Sequence, residues 1–471
     1  MKNNILSINE YRNNPEFYFT KGLRLANKKN LGEAYRNLTK ALELEPDNSE
    51  YKFNMACFLS ELQRPKEANR MFHDILLNFE PTMFECFFGL GCNSFEMGDN
   101  EKAAEHFDKY LYFDADGEFS YEISEMAFYL KLYNEVSHEN KFIKTSSVNL
   151  KKAQKKIKEN NIPDAISYLY KSVISNPLNI EARNLLTLAL MEDQHFIRAS
   201  YINSSVKNID RENIFGRCLE AYILCNANKL SKVKRVLEIL PYSPLKSRED
   251  LLCVATTILF FNKYQELTKL FENYIVDYSD PLIYSILLLS YVLTGDSQKA
   301  AEISGIMSTY APNNVYLGEW VKYAGDSASQ KEIKVNFKEH YKKLFQLNDE
   351  PFDYKYYPTL YENLLKKDQI KKGKLPKRYI PIIEGALNKR EIMYSSMYQK
   401  EIIGMLLECI KESQEPVEAI NDSYAMYSAA LEYWYCKLFY IPMDKQELLL
   451  KYSINANLLN TALNRLNIKF K

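Results

Sequence analysis

Gly22 and Ala34, Ala56 and Ala68, and Gly91 and Ala103 each stand twelve residues apart, and the second members recur at intervals of 34 and 35. A large residue follows each pair at the same offset: Leu38, Phe72 and Phe107. Small residues let two helices cross closely, and large ones fill the space beside the crossing. Pro46 and Pro81 stop two of the units, and Met97-Gly98-Asp99-Asn100 reads as the turn inside the third, because Gly and Asn tolerate the left-handed backbone of a helix end. Asn30-Leu31-Gly32 is the expected turn of the first unit. Self-similarity at this period means stacked copies of one supersecondary unit, none of which can bury its apolar face alone.

These marks resemble the tetratricopeptide repeat, a helix-turn-helix unit of about 34 residues. Three strong repeats span 15–115, with Leu25, Ala41, Leu59, Leu90, Tyr110 and Ala115 completing the pattern. Residues 1–14 form a polar lead-in. Residues 116–148 fit poorly and read as an atypical helical connector. Degenerate repeats resume over 149–325, marked by Ala153, Ala165, Leu169 and Pro177, then Leu186, Leu190 and Ala199, then Leu267, Phe271 and Tyr274, and finally Tyr291, Gly295, Ala300 and Pro312. Past 325 the period is lost. A linker at 325–329 leads to a C-terminal helical domain over 326–471, with an aromatic-rich stretch at 332–364 and a lysine run at 366–378. The expected fold is all-α: a tetratricopeptide-like α-solenoid, a superhelix of helical hairpins, followed by a C-terminal helical domain.

Composition narrows the function. Lys plus Arg and Asp plus Glu number 61 each, so the zero net charge gives no support for a dedicated nucleic-acid binder. The eight cysteines form no Cys-x-x-Cys and read as small buried hydrophobes in a reducing cytoplasm. The start of the chain turns polar at once, without the apolar core of a signal peptide. The longest apolar run, Leu282 to Leu293, is shorter than the roughly 20 residues needed to span a bilayer and predicts a core helix.

The first candidate site follows from the repeat register. Aligned, the first helices place Glu16, Glu50 and Glu85 at one position, Phe19, Phe53 and Phe88 three residues later, and Leu23, Cys57 and Cys92 beyond. The resemblance implies that these positions face the concave side, which would make a ladder of Phe beside a ladder of Glu. Such a groove favours a protein or peptide ligand with apolar anchors and positive charge. The same Phe side chains are also placed to pack between repeats. A clamp for a chaperone's C-terminal carboxylate, another use of the family, is not expected. Only Asn54 matches, while Phe19, Leu23, Glu85 and Gly89 stand where cations and amide donors are needed.

The second candidate is 444–468, which resembles a bacterial helix-turn-helix. Asp444 and Glu447 are spaced as a capping box, Ser453-Ile454-Asn455 as a turn, and Leu458 to Leu466 as a second helix. Its outward side chains would be Asn457, Asn460, Asn464 and Arg465. Leu449 and Ser453 depart from the small residue and turn glycine usual there.

No catalytic constellation is present. His73, His106, His138, His195 and His340 are scattered, Gly89-Leu90-Gly91 lacks the third glycine of a dinucleotide fingerprint, and there is no phosphate loop. No metal, cofactor or small-molecule substrate is expected. Two functions fit: a non-enzymatic, cytoplasmic scaffold or adaptor that binds a protein partner, and a transcription regulator whose repeats sense a partner while the C-terminal module touches DNA.

Overall fold

The computed structural model describes residues 13–133, 141–261, 263–274, 281–310, 380–388, 398, 402–406, 409, 424–438, 441 and 443–466. The lead-in before residue 13, Pro312, the 325–329 linker, the 332–364 stretch and the 366–378 lysine run lie outside them, as do His138 and His340. The fold is an all-α, tetratricopeptide-like solenoid, and no strand occurs among the described residues. The chain divides into two compact units. One joins Met1–Leu186 to Lys372–Lys471, the other is Thr187–Lys371.

Six helices make the first three hairpins: α1 Pro15–Asn27, α2 Leu31–Leu44, α3 Ser49–Glu61, α4 Pro65–Asp74, α5 Glu85–Glu96 and α6 Asn100–Phe113. Asn14, Asn48 and Asp99 cap α1, α3 and α6 with side-chain oxygens that accept backbone N–H bonds. Ala34, Ala68 and Ala103 are wholly buried. A Cβ added to Gly22 would lie 2.8 Å from Leu38, and one added to Gly91 would lie 2.4 Å from the Phe107 ring. The paired helices therefore approach as closely as their backbones permit.

The remaining helices of the array are α7 Ser120–Tyr133, α8 Lys141–Lys158, α9 Ile162–Ser175, α10 Ile180–Glu192, α11 Phe196–Ile209, α12 Ile214–Asn226, α13 Leu230–Ile239, α14 Arg248–Phe260, α15 Tyr264–Asn273, α16 Pro281–Thr294 and α17 Ser297–Tyr310. One hydrogen bond marks each hairpin turn. The amide N–H of Asn30, Arg64, Asp99, Asn161, His195, Lys229, Lys263 and Asp296 donates to the carbonyl five residues before it. This is the closing bond of a Schellman turn, and the residue before the donor takes a left-handed backbone. Lys29, Gln63, Gly98, Asn160, Gln194, Asn228 and Gly295 do so. The first turn thus pivots on Lys29, while Gly32 already lies inside α2.

Among the described residues no turn of this kind stands between Gly98 and Asn160. The Phe119 amide just before α7 donates to the Tyr110 hydroxyl at 3.2 Å. α8, which opens inside the stretch read as a connector, lays Phe142 against Tyr112 and Phe113 of α6. Ser146 of α8 and Ser172 of α9 share a buried hydrogen bond of 2.9 Å, and Asn179 donates to Ser146 at 3.1 Å.

A π-helical turn over Ile75–Phe79 ends α4. Arg183 of α10, fully buried, donates to the Leu76 and Leu77 carbonyls at 2.7 and 2.8 Å and to Pro177 at 2.5 Å. Burial pulls its pKa down to about 9, so the guanidinium is still charged at neutral pH. Lys52, also fully buried, pairs with Asp74, which accepts from Asn78 at 2.6 Å.

The C-terminal helices are α18 Ile380–Asn388, α19 Tyr424–Leu438, α20 Lys445–Tyr452 and α21 Ala456–Arg465. Their core holds a buried carboxylate. Glu432 of α19 accepts from Tyr452 at 2.5 Å and from Lys451 at 2.6 Å, both on α20. One turn earlier on α19, the Ser428 hydroxyl donates to the Ile382 carbonyl of α18 at 2.7 Å.

Overpacking the crossing should be costly. Ala68→Leu is expected to lose about 1–3 kcal/mol, read as an earlier denaturant midpoint at unchanged slope. Acid should also act here. His73 of α4 and His106 of α6 are half-buried, with ring centroids 6.2 Å apart. Loss of solvent around the rings, with Lys109 adding, pulls His73 down to about 4 and His106 well below its usual value. A folded-state pKa below the unfolded 6.5 means the unfolded chain binds protons first. Stability is then complete above pH 6.5 and falls as pH drops toward about 4. The double variant His73→Leu/His106→Leu should lose about 1–3 kcal/mol less over that window than the parent in chemical denaturation.

Candidate functional site: the wall of first helices

α1, α3 and α5 form one side of the first three hairpins. Phe19 of α1 and Tyr51 of α3 stack at 4.4 Å, and the Tyr51 hydroxyl donates to Glu16 at 2.9 Å. Burial and that carboxylate push the Tyr51 phenol above its ordinary range. Phe19 is only 5% exposed. The first rung of the Phe ladder is therefore spent on packing between repeats one and two.

The next two rungs differ. Phe53 is half-buried and rests against Phe72 at 5.7 Å. Phe88 is half-buried and lies flat on Phe119 at 4.3 Å, with ring planes 7° apart. Both keep an accessible edge. Phe95, seven residues after Phe88 and so on the same side of α5, is 47% exposed, and Met97 beside it 46%. Phe95 extends the line of Phe19, Phe53 and Phe88 by one further ring. The i, i+7 spacing to Phe95 was the signal available.

Charge follows the same surface. Glu16 and Glu50 are exposed, Glu85 is half-buried, and Glu61 and Glu96 at the helix ends are exposed. α5 contains no cation, and the one lysine of α3, Lys52, is buried against Asp74. The thiols on this wall are inert: burial pushes Cys57 up to about 12 and Cys92 to about 11, so neither is a thiolate at neutral pH.

The geometry also explains why a carboxylate clamp has no place here. A Cβ at Gly89 would fall 2.5 Å from the Phe72 ring, which leaves no room for a basic side chain at that position. Asn54 donates to the Glu50 carbonyl at 3.0 Å.

The C-terminal candidate forms two short helices around Ser453, whose φ is 53°. Asn457, Asn460, Asn464 and Arg465 are all exposed on α21, and Arg465 donates to the Tyr427 hydroxyl at 3.2 Å. The capping box is not closed as its spacing suggests. Asp444 accepts from the Gln446 amide at 2.8 Å, while Glu447 turns to α4, meeting Arg70 at 2.8 Å and Lys66 at 3.1 Å. Two cations outcompete one backbone amide for that carboxylate.

Among the described residues no group of three or more His, Cys, Asp or Glu could hold a metal ion. No described helix is long and apolar enough to cross a membrane.

Residues 15–48 match the family profile described as tetratricopeptide repeat. They are the first hairpin and its flanking turn. A stretch of 204 residues is 24% identical to the TPR repeat-containing protein YvcD of Bacillus subtilis, covering 43% of this chain and 42% of the relative, so the match spans less than half of that protein's length. The chain thus carries a tetratricopeptide repeat at residues 15–48. Solved structures similar to it include the TPR2AB-domain complex with pHSP90 from yeast Sti1, at 15% identity over 54% of this chain and 98% of that one, with a TM-score of 0.23. A tetratricopeptide repeat protein from Parabacteroides merdae is 13% identical over 66% of this chain and 99% of that one, with a TM-score of 0.28.

Proposed function

We propose that the wall of α3 and α5 is where this tetratricopeptide-repeat protein takes a partner, and that the partner is a peptide or protein segment carrying apolar and basic side chains. The observation that carries this reading is the juxtaposition on one wall of Phe53, Phe88 and Phe95, each with accessible surface, and a set of glutamates with no free lysine or arginine beside them on α5. Aromatic edges that keep solvent contact are anchors ready to be buried, while rim carboxylates steer a cationic ligand and set its orientation. Phe19 supports the wall from inside, through Tyr51. The reading is that of a non-enzymatic adaptor acting in the cytoplasm.

DNA reading by α20 and α21 ranks second. Phosphate contacts supply most non-specific affinity, and the exposed side of α21 carries one cation, Arg465, already engaged by Tyr427.

The double variant Phe53→Ala/Phe88→Ala should lose capture of the main partner from a native-host lysate, as read by mass spectrometry. An anchor of this kind contributes at least about 2 kcal/mol. Glu50→Lys leaves the rings in place and should chiefly slow association. If the double variant keeps its circular dichroism spectrum and retrieves the same proteins, the binding face lies elsewhere.

A further inference from the structure

α8 has a surface of opposite character. In 18 residues it carries Lys141, Lys144, Lys151, Lys152, Lys155, Lys156 and Lys158, and no acidic residue. Phe142, Ser146, Leu150, Ala153 and Ile157 form its buried side. The opposite side presents Lys144, Val148, Lys151 and Lys155 at i, i+4, i+7 and i+11, all exposed, with Lys152 alongside. Val148, in the middle, is 50% exposed.

The helix itself does not require this arrangement. Cations in a last turn favour the helix dipole, which accounts for Lys155, Lys156 and Lys158. Lys144 lies at the start, where the dipole disfavours it, and Lys151–Lys155 and Lys152–Lys156 are like charges at i, i+4, each costing a few tenths of a kcal/mol. All six helices of the first three hairpins open instead with a glutamate: Glu16, Glu33, Glu50, Glu67, Glu85 and Glu101. Nor do neighbours neutralise the stripe. Lys155 and Lys156 share Glu159, at 3.9 and 2.8 Å, whereas Lys144, Lys151 and Lys152 have no acidic partner among the described residues. Lys152 and Lys171 both lie over the Tyr168 ring, at 5.7 and 5.3 Å, which adds a further positive charge on α9.

We infer that α8 is a second docking surface, distinct from the wall of first helices, and that it takes an acidic amphipathic segment of a protein. The carboxylates of that segment lie on Lys144, Lys151 and Lys155, and its apolar residue lies on Val148. The apolar centre decides between occupants. A nucleic-acid backbone is charged along its whole length and gains nothing from a valine at mid-stripe. An amphipathic segment carries carboxylates on either side of an apolar residue at the same helical spacing.

The test uses the full chain and a labelled synthetic acidic helix of about five turns, glutamates flanking a central leucine, followed by fluorescence anisotropy. The parent should bind it with an affinity that falls as salt rises. K144E/K151E/K155E should weaken binding by about tenfold or more, and because all three side chains are exposed it should keep its helix content and Tm. Val148→Ser should weaken the peptide several-fold. Phe53→Ala/Phe88→Ala should leave it unchanged, which separates this surface from the wall of α3 and α5. Equal binding by the charge-reversed variant overturns the inference. So does tighter binding of a thymidine oligonucleotide or of phosphatidylserine vesicles, with no effect of Val148→Ser, since the stripe would then be a general polyanion surface.

Discussion

The contact between a small residue on the first helix of a hairpin and a large one on the second governs the first three repeats. Gly22 meets Leu38, and Gly91 meets Phe107, so closely that even a methyl group would have to displace the partner. Ala34, Ala68 and Ala103 allow the same approach from the other side, with no surface left to solvent. Once the backbones are that close, the rotation of α1, α3 and α5 is fixed, and so is the side they turn outward. Phe53 and Phe88 are half-exposed because the crossing beneath them is already full.

Where that contact pattern lapses, other interactions take over. After the turn at Gly98, α8 packs on α6 through Phe142, paired serines join α8 to α9, and Arg183 of α10 reaches the π turn. A fully buried guanidinium is costly to desolvate. It is retained because the π turn presents the Leu76 and Leu77 carbonyls to it. The Lys52–Asp74 pair meets the same turn, through the bond that Asp74 accepts from Asn78. The departure from periodicity thus coincides with a cluster of buried charge in the first unit.

Much of this was legible in the chain. The spacing of small and large residues is a local property, and it located the first three hairpins and their buried alanines. The turn read at Met97-Gly98-Asp99-Asn100 falls between α5 and α6, where Asp99 caps α6. Contacts across a hundred residues left no such trace: nothing about Leu76, Leu77 and Arg183 in sequence says that they meet. Non-glycine residues at the left-handed turn positions hid several turns, since Lys29 and Gln63 do not advertise that conformation. The Phe ladder was visible as a period, yet the split between buried Phe19 and accessible Phe53 and Phe88 depended on Tyr51, which only the folded stack brings over Phe19.

The account turns on which side of the hairpins meets a partner. A photo-reactive benzoyl-phenylalanine placed singly at Phe53, Phe88 and Phe95, and at the exposed Arg36 of α2 on the other side of the hairpin, measures this directly in the native host. Adducts to one partner protein should form from positions 53, 88 and 95 and be missing from position 36. Adducts from position 36 with none from the three ring positions would contradict the assignment of the binding wall.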